Sequence, residues 1–314
     1  MKFSLRSDPT FDSGLGHLSR LTALGQELKA CGYSYCFHPF GEFPSRHVEF
    51  ISHNFLNVEC RCGGNPDFTI IDTYNPDIIN WMAEFRSGIL IQLLDEVTPR
   101  GKCDGFVEVS PISQTTNNLQ STPILTFEDS PLFRDEIFSL KDELGRGSTL
   151  EKKGILVLGG VNDATYIEAL TVLTETLGDK VGNLTIGTSS LKVIEIARDM
   201  GVISSCSPQE MTYIARNFSY VISGAGVTAW ELAFLRIPGF VISVADNQEF
   251  QLNYLKDNGY RSGVSLSSST IKADFVDCLQ AIEEDPKKFP GEEGRQKILN
   301  FLKGLSPQSA PLLD

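Results

Sequence analysis

The 314-residue sequence is short of positive charge: Lys and Arg number 27 against 40 Asp and Glu, a formal net charge of −13. No basic stripe is left to track a nucleic-acid backbone, so nucleic acid is excluded as a partner. The same deficit repels anionic ligands at long range. Screening confines that repulsion to about 8 Å at physiological salt, so local groups decide whether a phosphate binds. Long apolar runs are missing too. Stretches such as Ile89 to Leu94 are far too short for a bilayer, which argues against membrane insertion. Met1 to Leu5 is already strand-like and lacks an apolar core of signal-peptide length, so cytoplasmic residence is the default expectation. The chain has no D-x-D pair for a metal-bound diphosphate, no G-x-x-x-x-G-K-S/T loop and no complete G-x-G-x-x-G. It also lacks C-x-x-C knuckles. Cys60 and Cys62 lie near His53, Cys31, Cys36 and His38, but without that spacing the seven cysteines read as free thiols in or near a core, not as zinc ligands. His38, His47 and His53 receive no role.

What is present is an alternation of short apolar strands and amphipathic helices, over a length suited to two domains. In the first half, Phe3 and Leu5 mark a strand. Leu18, Leu21, Leu24 and Leu28 mark a helix stopping at Gly32. Phe68 to Asp72, Ile89 to Leu94 and Phe106 to Val109 read as strands, and Asn75 to Phe85 as a helix. Charge dominates from Arg134 to Lys153, which reads as a linker. A second series follows. Its strands are Ile155 to Leu158, Leu184 to Gly187, Tyr220 to Ser223 and Phe240 to Val244. Its helices include Leu191 to Met200, one begun by Ser207-Pro208-Gln209-Glu210, one ending near Arg236, and one from Asp246 closed by Asn258-Gly259. The expectation is an α/β protein of two Rossmann-like domains facing across a cleft, residues 1–140 and 150–290. A last helix, about Glu293 to Leu302 within the tail 291–314, can pack back on the first domain.

Chemistry concentrates where glycine turns join strands to helices. Gly14-Leu15-Gly16-His17-Leu18-Ser19-Arg20 puts His17 on a helix N-terminus at the carboxyl edge of a parallel sheet, where ligands bind and where an imidazole can exchange protons near neutral pH. Its bland alternative is an exposed ring near a helix cap. Asp72 and Tyr74 end one strand of the same edge, and Asp95 and Glu96 end the next. Such carboxylates orient a histidine, hold a sugar, or simply cap a helix. Two further turns, Gly159-Gly160 and Ser223-Gly224-Ala225-Gly226-Val227-Thr228, suit a pyrophosphate on helix N–H groups. Tight strand-to-helix packing explains either one as well. Glu231, three residues after Thr228, fits a capping box or a ribose-binding carboxylate, and the spacing favours the cap. Asp246 and Glu249 pose the same choice, again favouring the cap, with Asn247 and Gln248 as neutral donors to phosphate or sugar.

Taken together, these motifs resemble the PseG/SpsG family of UDP-sugar hydrolases, relatives of MurG with the two-domain GT-B fold. Arg6-Ser7-Asp8 through Gly14-Leu15-Gly16-His17-Leu18-Ser19-Arg20 is similar to R-x-D…G-x-G-H-x-x-R, and Asp72-Thr73-Tyr74 to D-H-Y. Leu132 to Glu136 resembles the segment near the domain junction. Val157-Leu158-Gly159-Gly160 resembles F-G-G-x-D, Ser223 to Ala233 resembles G-x-S-T-x-x-E-L-A, and Ala245-Asp246-Asn247-Gln248 is A-D-N-Q. The resemblance runs from residue 1 to about 260. It implies hydrolysis of UDP-2,4-diacetamido-2,4,6-trideoxy-β-L-altrose to UDP and free sugar, with neither metal nor cofactor. His17 activates water, Gly14, Gly16, Arg20, Asp72 and Tyr74 line the sugar side, and Gly160, Ser223, Gly224, Gly226, Val227 and Thr228 hold UDP. Glu231 holds the ribose, Asn247 and Gln248 reach phosphate or sugar, and uracil lies near Val202, Ile203 and Met211. Thr73 for histidine, Leu94-Asp95-Glu96 for Asp-Asp-Leu and an inserted residue around Gly226 depart from the pattern and bear on sugar choice. A GT-B glycosyltransferase using a UDP-sugar donor, or a non-catalytic nucleotide-sugar binder, are the alternatives. The hydrolytic reading requires an imidazole that is not sealed by packing.

Overall fold

The computed structural model describes residues 1–8, 16–42, 48, 51, 65–85, 87–95, 101–111, 122–127, 131–144, 153–159, 161–202, 204–206, 211–283, 289 and 293–305. The chain divides into two compact units, Met1–Asp135 with Gly291–Asp314, and Glu136–Pro290.

The first unit runs β1 (Lys2–Ser7), α1 (Gly16–Ala30), β2 (Ser34–Pro39), β3 (Phe68–Asp72), α2 (Pro76–Phe85), β4 (Ile89–Leu94), β5 (Gly105–Glu108) and β6 (Ile124–Leu125). Its parallel strands lie in the order β2-β1-β3-β4-β5-β6. A parallel sheet is covered on both faces, which is why β3 is Phe-Thr-Ile-Ile-Asp with all five residues buried. Phe3 stacks on Phe68 across the β1–β3 pair, centroids 5.1 Å apart. Helix α1 ends where Gly32 takes φ +75°, a left-handed closure in which the Tyr33 N–H donates to the Leu28 carbonyl at 2.9 Å.

The second unit contains α3 (Asp135–Leu144, from its second residue), β7 (Gly154–Val157), α4 (Asp163–Leu177), β8 (Leu184–Gly187), α5 (Leu191–Asp199), β9 (Ser204–Cys206), α6 (Met211–Asn217), β10 (Tyr220–Gly224), α7 (Val227–Leu235), β11 (Gly239–Ser243), α8 (Asp246–Asp257), β12 (Ser262–Ser265) and α9 (Ile271–Gln280). Its sheet order is β12-β11-β10-β7-β8-β9, again parallel. Strand order reverses between β1 and β3 in one sheet and between β7 and β10 in the other. These are the points where open α/β sheets bind ligands. Arg261, buried at the start of β12, donates to the carbonyls of Ile237 at 2.6 Å and Val221 at 3.1 Å, and burial pushes its pKa down to about 9.

The last helix, α10 (Gly294–Leu305), places Ile298, Leu299 and Leu302 in the same core as Leu21 and Leu24 of α1. At about 1.5–3 kcal/mol per buried aliphatic side chain, those three contribute more than the polar contacts beside them. Arg295 donates to Asp135, and its Nε lies 3.5 Å from Glu27.

Two expectations change. Residues 135–144 of the charged stretch read as a linker form α3, which buries Ile137 and Leu140 and sets Phe138 edge-on to Phe234 at 5.3 Å. Cys31, Cys103 and Cys278 are in no disulfide, but Cys36, buried in β2, is disulfide-bonded, so the thiols are not all reduced. The helix start at Ser207 to Glu210 lies outside the described residues. Among the described residues, no helix is long and apolar enough to cross a membrane, and no group of three His, Cys, Asp or Glu could hold a metal.

Candidate functional site

In the first unit, the β1–β3 switch point brings four of the expected residues together. Gly16 is the first residue of α1 and His17 the second. Arg20 follows one turn later, so its side chain lies above the same face as His17. Ser7 and Asp72 are register partners at the ends of β1 and β3, which sets the Asp72 carboxylate beneath the start of α1. His17 Nδ1 donates to Asp72 Oδ1. Arg20 donates to the same carboxylate from Nε at 2.9 Å and from Nη2 at 3.0 Å. The Tyr74 hydroxyl donates to Asp95 Oδ2 at the end of β4, and its ring meets the imidazole edge-on with centroids 4.5 Å apart. Asp95 Oδ2 is 3.7 Å from Arg20 Nη2.

Burial and charge compete throughout this cluster. Burial opposes ionisation of Asp72, but Arg20 and His17 outweigh it and hold the carboxyl well below the usual carboxylate range. Burial likewise works against the Arg20 cation, and the charge and hydrogen bonds of Asp72 overcome it, leaving the guanidinium more firmly protonated than usual. Burial, then the neighbouring Asp95 carboxylate, pushes the Tyr74 phenol up, against an opposing pull from Arg20.

With Nδ1–H committed to Asp72, His17 presents Nε2 as a lone-pair acceptor. That nitrogen is buried and has no hydrogen-bond partner among the described residues. The ring is not the open imidazole the sequence led one to expect. It is 4% exposed, because Tyr74 packs against it and α1 lies over the strand ends. Thr73, where the resembling family has histidine, is fully buried and its hydroxyl accepts the Asn75 N–H at 3.0 Å, shaping the turn into α2.

The second unit assembles its own set at the end of β10. Ser223 is fully buried and its Oγ has no partner among the described residues. Gly226 is the N-cap of α7, with φ −120°, ψ −155° and no side-chain cap bond. The capping-box reading of Thr228 and Glu231 therefore fails: Thr228 lies within the first turn, and Glu231, 4% exposed, lies in the second. The cap at Asp246 fails for the same reason. Ala245 is the N-cap of α8 without a side-chain bond, and Glu249 instead accepts from the Ser265 hydroxyl. By contrast Asn162 caps α4, accepting the Thr165 N–H at 2.9 Å. The N-cap residues of α7 and α8, Gly226 and Ala245, thus offer no side-chain cap to the first-turn N–H groups, an arrangement suited to an anion.

The glycines refine this further. A Cβ on Gly159 or Gly226 would meet nothing within 4 Å, and neither has a positive φ. Tight packing does not explain them; their effect is to keep space open over the backbone. Gln248 Oε1 accepts the Val244 N–H at 3.2 Å, which leaves its amide group to donate. Val227 and Thr228 are half-buried in the first turn of α7, and Gly224 closes β10. Val202, expected beside uracil, is a core residue, and Met211 is buried at the start of α6. Asn247 lies in the first turn of α8. Gly14, Gly160 and Ile203 lie outside the described residues. Asp95 is the residue that sequence reasoning underused. It stood among several strand-end carboxylates, and only the β3–β4 adjacency singles it out.

No protein-family model matches the sequence, and no curated protein matches it. Solved structures do. MurG of Acinetobacter baumannii superposes with TM-score 0.58 at 10% identity, covering 96% of this chain and 99% of that one. The UDP-GlcNAc 2-epimerase of Neisseria meningitidis, bound to UDP-GlcNAc, gives 0.63 at 11% identity, covering 96% and 100%. A putative UDP-N-acetylglucosamine 2-epimerase of Listeria monocytogenes gives 0.62 at 12% identity, covering 99% and 98%. The fold is that of the GT-B proteins, two Rossmann-like α/β domains of parallel strands.

Proposed function

We infer that this chain hydrolyses a UDP-linked amino or deoxy sugar to UDP and free sugar, without a metal, with His17 as general base. The observation that carries the reading is the buried ring nitrogen of a carboxylate-held imidazole, His17 Nε2, which has no hydrogen-bond partner among the described residues. In the step, a water O–H proton moves to Nε2 and the water oxygen bonds to the anomeric carbon. The bond from that carbon to the UDP oxygen breaks, and its electron pair leaves on the β-phosphate. Asp72 takes up the charge that forms on the ring, and the proton later passes to solvent. UDP is a stable leaving group, so the N-termini of α7 and α8 stabilise its departure without a strong general acid. Ser223, Gly224, Gly226, Val227, Thr228, Glu231, Asn247 and Gln248 are the UDP side, and Gly16, Arg20, Asp72 and Tyr74 the sugar side. The family resemblance and a structural neighbour that holds UDP-GlcNAc support the nucleotide-sugar class.

The test is a panel of UDP-sugars, including UDP-GlcNAc and the diacetamido-trideoxy-altrose derivative, in water enriched in oxygen-18. Label in the free sugar is expected, whereas label on phosphorus would mean attack at the pyrophosphate and a different enzyme. His17→Ala is expected to lower kcat by about 10²–10⁴-fold with UDP affinity kept. The near-complete burial of His17 favours a second reading, a nucleotide-sugar binder in which the cluster merely ties the sheet edge together. UDP binding without release of sugar from any member of the panel would select it.

A further inference from the structure

Among the described residues, Asp8, Asp72 and Asp95 are buried at the carboxyl edge of the first sheet. Two of them are engaged: Asp72 accepts from His17 and Arg20, and Asp95 accepts the Tyr74 hydroxyl. Asp8 differs. It is the first residue beyond β1 and 8% exposed, and its Oδ1 is buried with no hydrogen-bond partner among the described residues. Strand β1 is an inner strand, and its last residue, Ser7, pairs with Pro39 of β2 and Asp72 of β3. The chain at Asp8 therefore stands one strand spacing, about 4.8 Å, from the end of β3 that carries the Asp72–His17 bond. A buried acceptor left empty destabilises the unliganded protein, and a donor brought by a ligand removes that penalty. His17 Nε2 is a second empty acceptor on the same edge.

We propose that Asp8 is the specificity-determining residue of the sugar side, its Oδ1 accepting a hydrogen bond from an acetamido N–H or a hydroxyl on the ring of the bound sugar. This rests on the nucleotide-sugar reading above and adds a requirement to it: the sugar must carry a donor for Asp8. A pyrophosphate offers acceptors only and gives this oxygen nothing to bond. A sugar ring offers O–H groups, and an amino sugar N–H groups as well. Water meets Nε2 while the ring meets Oδ1, so the two empty acceptors take different partners and the ring is held in one orientation beside His17. Asp8 moves no proton in the reaction.

The experiment measures binding of UDP and of UDP-2,4-diacetamido-2,4,6-trideoxy-β-L-altrose by calorimetry, with and without Asp8→Ala, in a His17→Ala background that does not consume the sugar. Turnover of the same UDP-sugar by wild type, His17→Ala and Asp8→Ala, and urea unfolding of each, accompany it. Asp8→Ala is expected to weaken binding of the UDP-sugar about 10–100-fold and to leave UDP within about threefold, because a hydrogen bond to a carboxylate is lost from the sugar alone. KM is expected to rise by a similar factor. The 3-deoxy derivative of the sugar tells the donors apart. If the Asp8→Ala factor vanishes there, the donor is the hydroxyl; if it persists, the donor is an acetamido N–H. Unchanged affinity for the UDP-sugar overturns the proposal, and so does an equal loss for UDP and UDP-sugar. Should Asp8→Ala not fold, Asp8→Leu, which also lacks an acceptor, is judged by the same criteria. No turnover in wild type beside a sugar-selective loss in Asp8→Ala sinks the hydrolytic reading and leaves Asp8 in its role. Turnover abolished in His17→Ala, with Asp8→Ala at wild-type KM, sinks the proposal alone; failure to bind any UDP-sugar sinks both.

Discussion

Arg20 meets Asp72 in two parallel hydrogen bonds, Nε to Oδ2 at 2.9 Å and Nη2 to Oδ1 at 3.0 Å, with the carboxylate 1% exposed. The pair is therefore a buried ion pair whose halves depend on each other.

Arg20→Met is expected to destabilise the protein by about 3–5 kcal/mol, because it strands a buried carboxylate with only His17 beside it. Replacing Asp72 by Leu as well is expected to return part of that loss, since the Asp72 charge is then gone while the Asp95 carboxylate stays. Urea unfolding of the single and double variants checks both statements.

The same pair sets an acid limit. The Asp72 carboxyl is held below its unfolded value, so its contribution to stability is complete above about pH 4 and drains away as pH falls toward the folded value. Above that range this group adds no slope. Asp72→Asn is expected to be less stable at neutral pH and to show a shallower decline between pH 4 and 2 than wild type, read from unfolding midpoints at each pH.

Gly226→Ala separates folding from binding in the second unit. The backbone there suits any residue and a Cβ meets nothing within 4 Å, so stability is expected to hold within about 0.5 kcal/mol. The methyl group intrudes on the approach to the α7 N-terminus, and UDP affinity by calorimetry is expected to fall about tenfold or more. Unchanged affinity would remove that turn from the site.

Gly294→Ala has the opposite signature. Its Cβ would sit 2.4 Å from the Pro131 carbonyl oxygen, a backbone atom that cannot swing away. A loss of about 1–3 kcal/mol is expected on urea unfolding, with UDP affinity unchanged.

Much of the fold is legible where a strand is a continuous apolar run. Phe68–Asp72, Ile89–Leu94 and Leu184–Gly187 fall on the residues the sequence indicates. Strand β12 does not announce itself. Ser262-Gly263-Val264-Ser265 offers one large apolar side chain, and it is a strand because β11 pairs with it, Ile242 opposite Val264. Strand β2 hides for a related reason, carrying Cys36 and His38 amid its buried Tyr35 and Phe37. Helix α3 was masked by charge, its apolar residues being Ile137, Phe138, Leu140 and Leu144.

The site divides in the same manner. His17 at the head of α1 and Asp72 at the end of β3 are local facts, readable from a glycine turn and a strand end. Which residue caps α7 depends on the φ and ψ of Gly226, and spacing alone pointed to Thr228 instead. The tie from Tyr74 to Asp95 requires knowing that β4 follows β3 in the sheet, which no local pattern encodes.

Because Ile298, Leu299 and Leu302 of α10 complete the core begun by β1 and α1, the first unit is built from two stretches of chain separated by the whole of the second. During synthesis the intervening unit, contiguous from Glu136 to Pro290, has every residue it needs while its neighbour still waits for a closing helix. The cluster around His17 therefore lies in the unit whose core closes only after residues 294–305 have emerged.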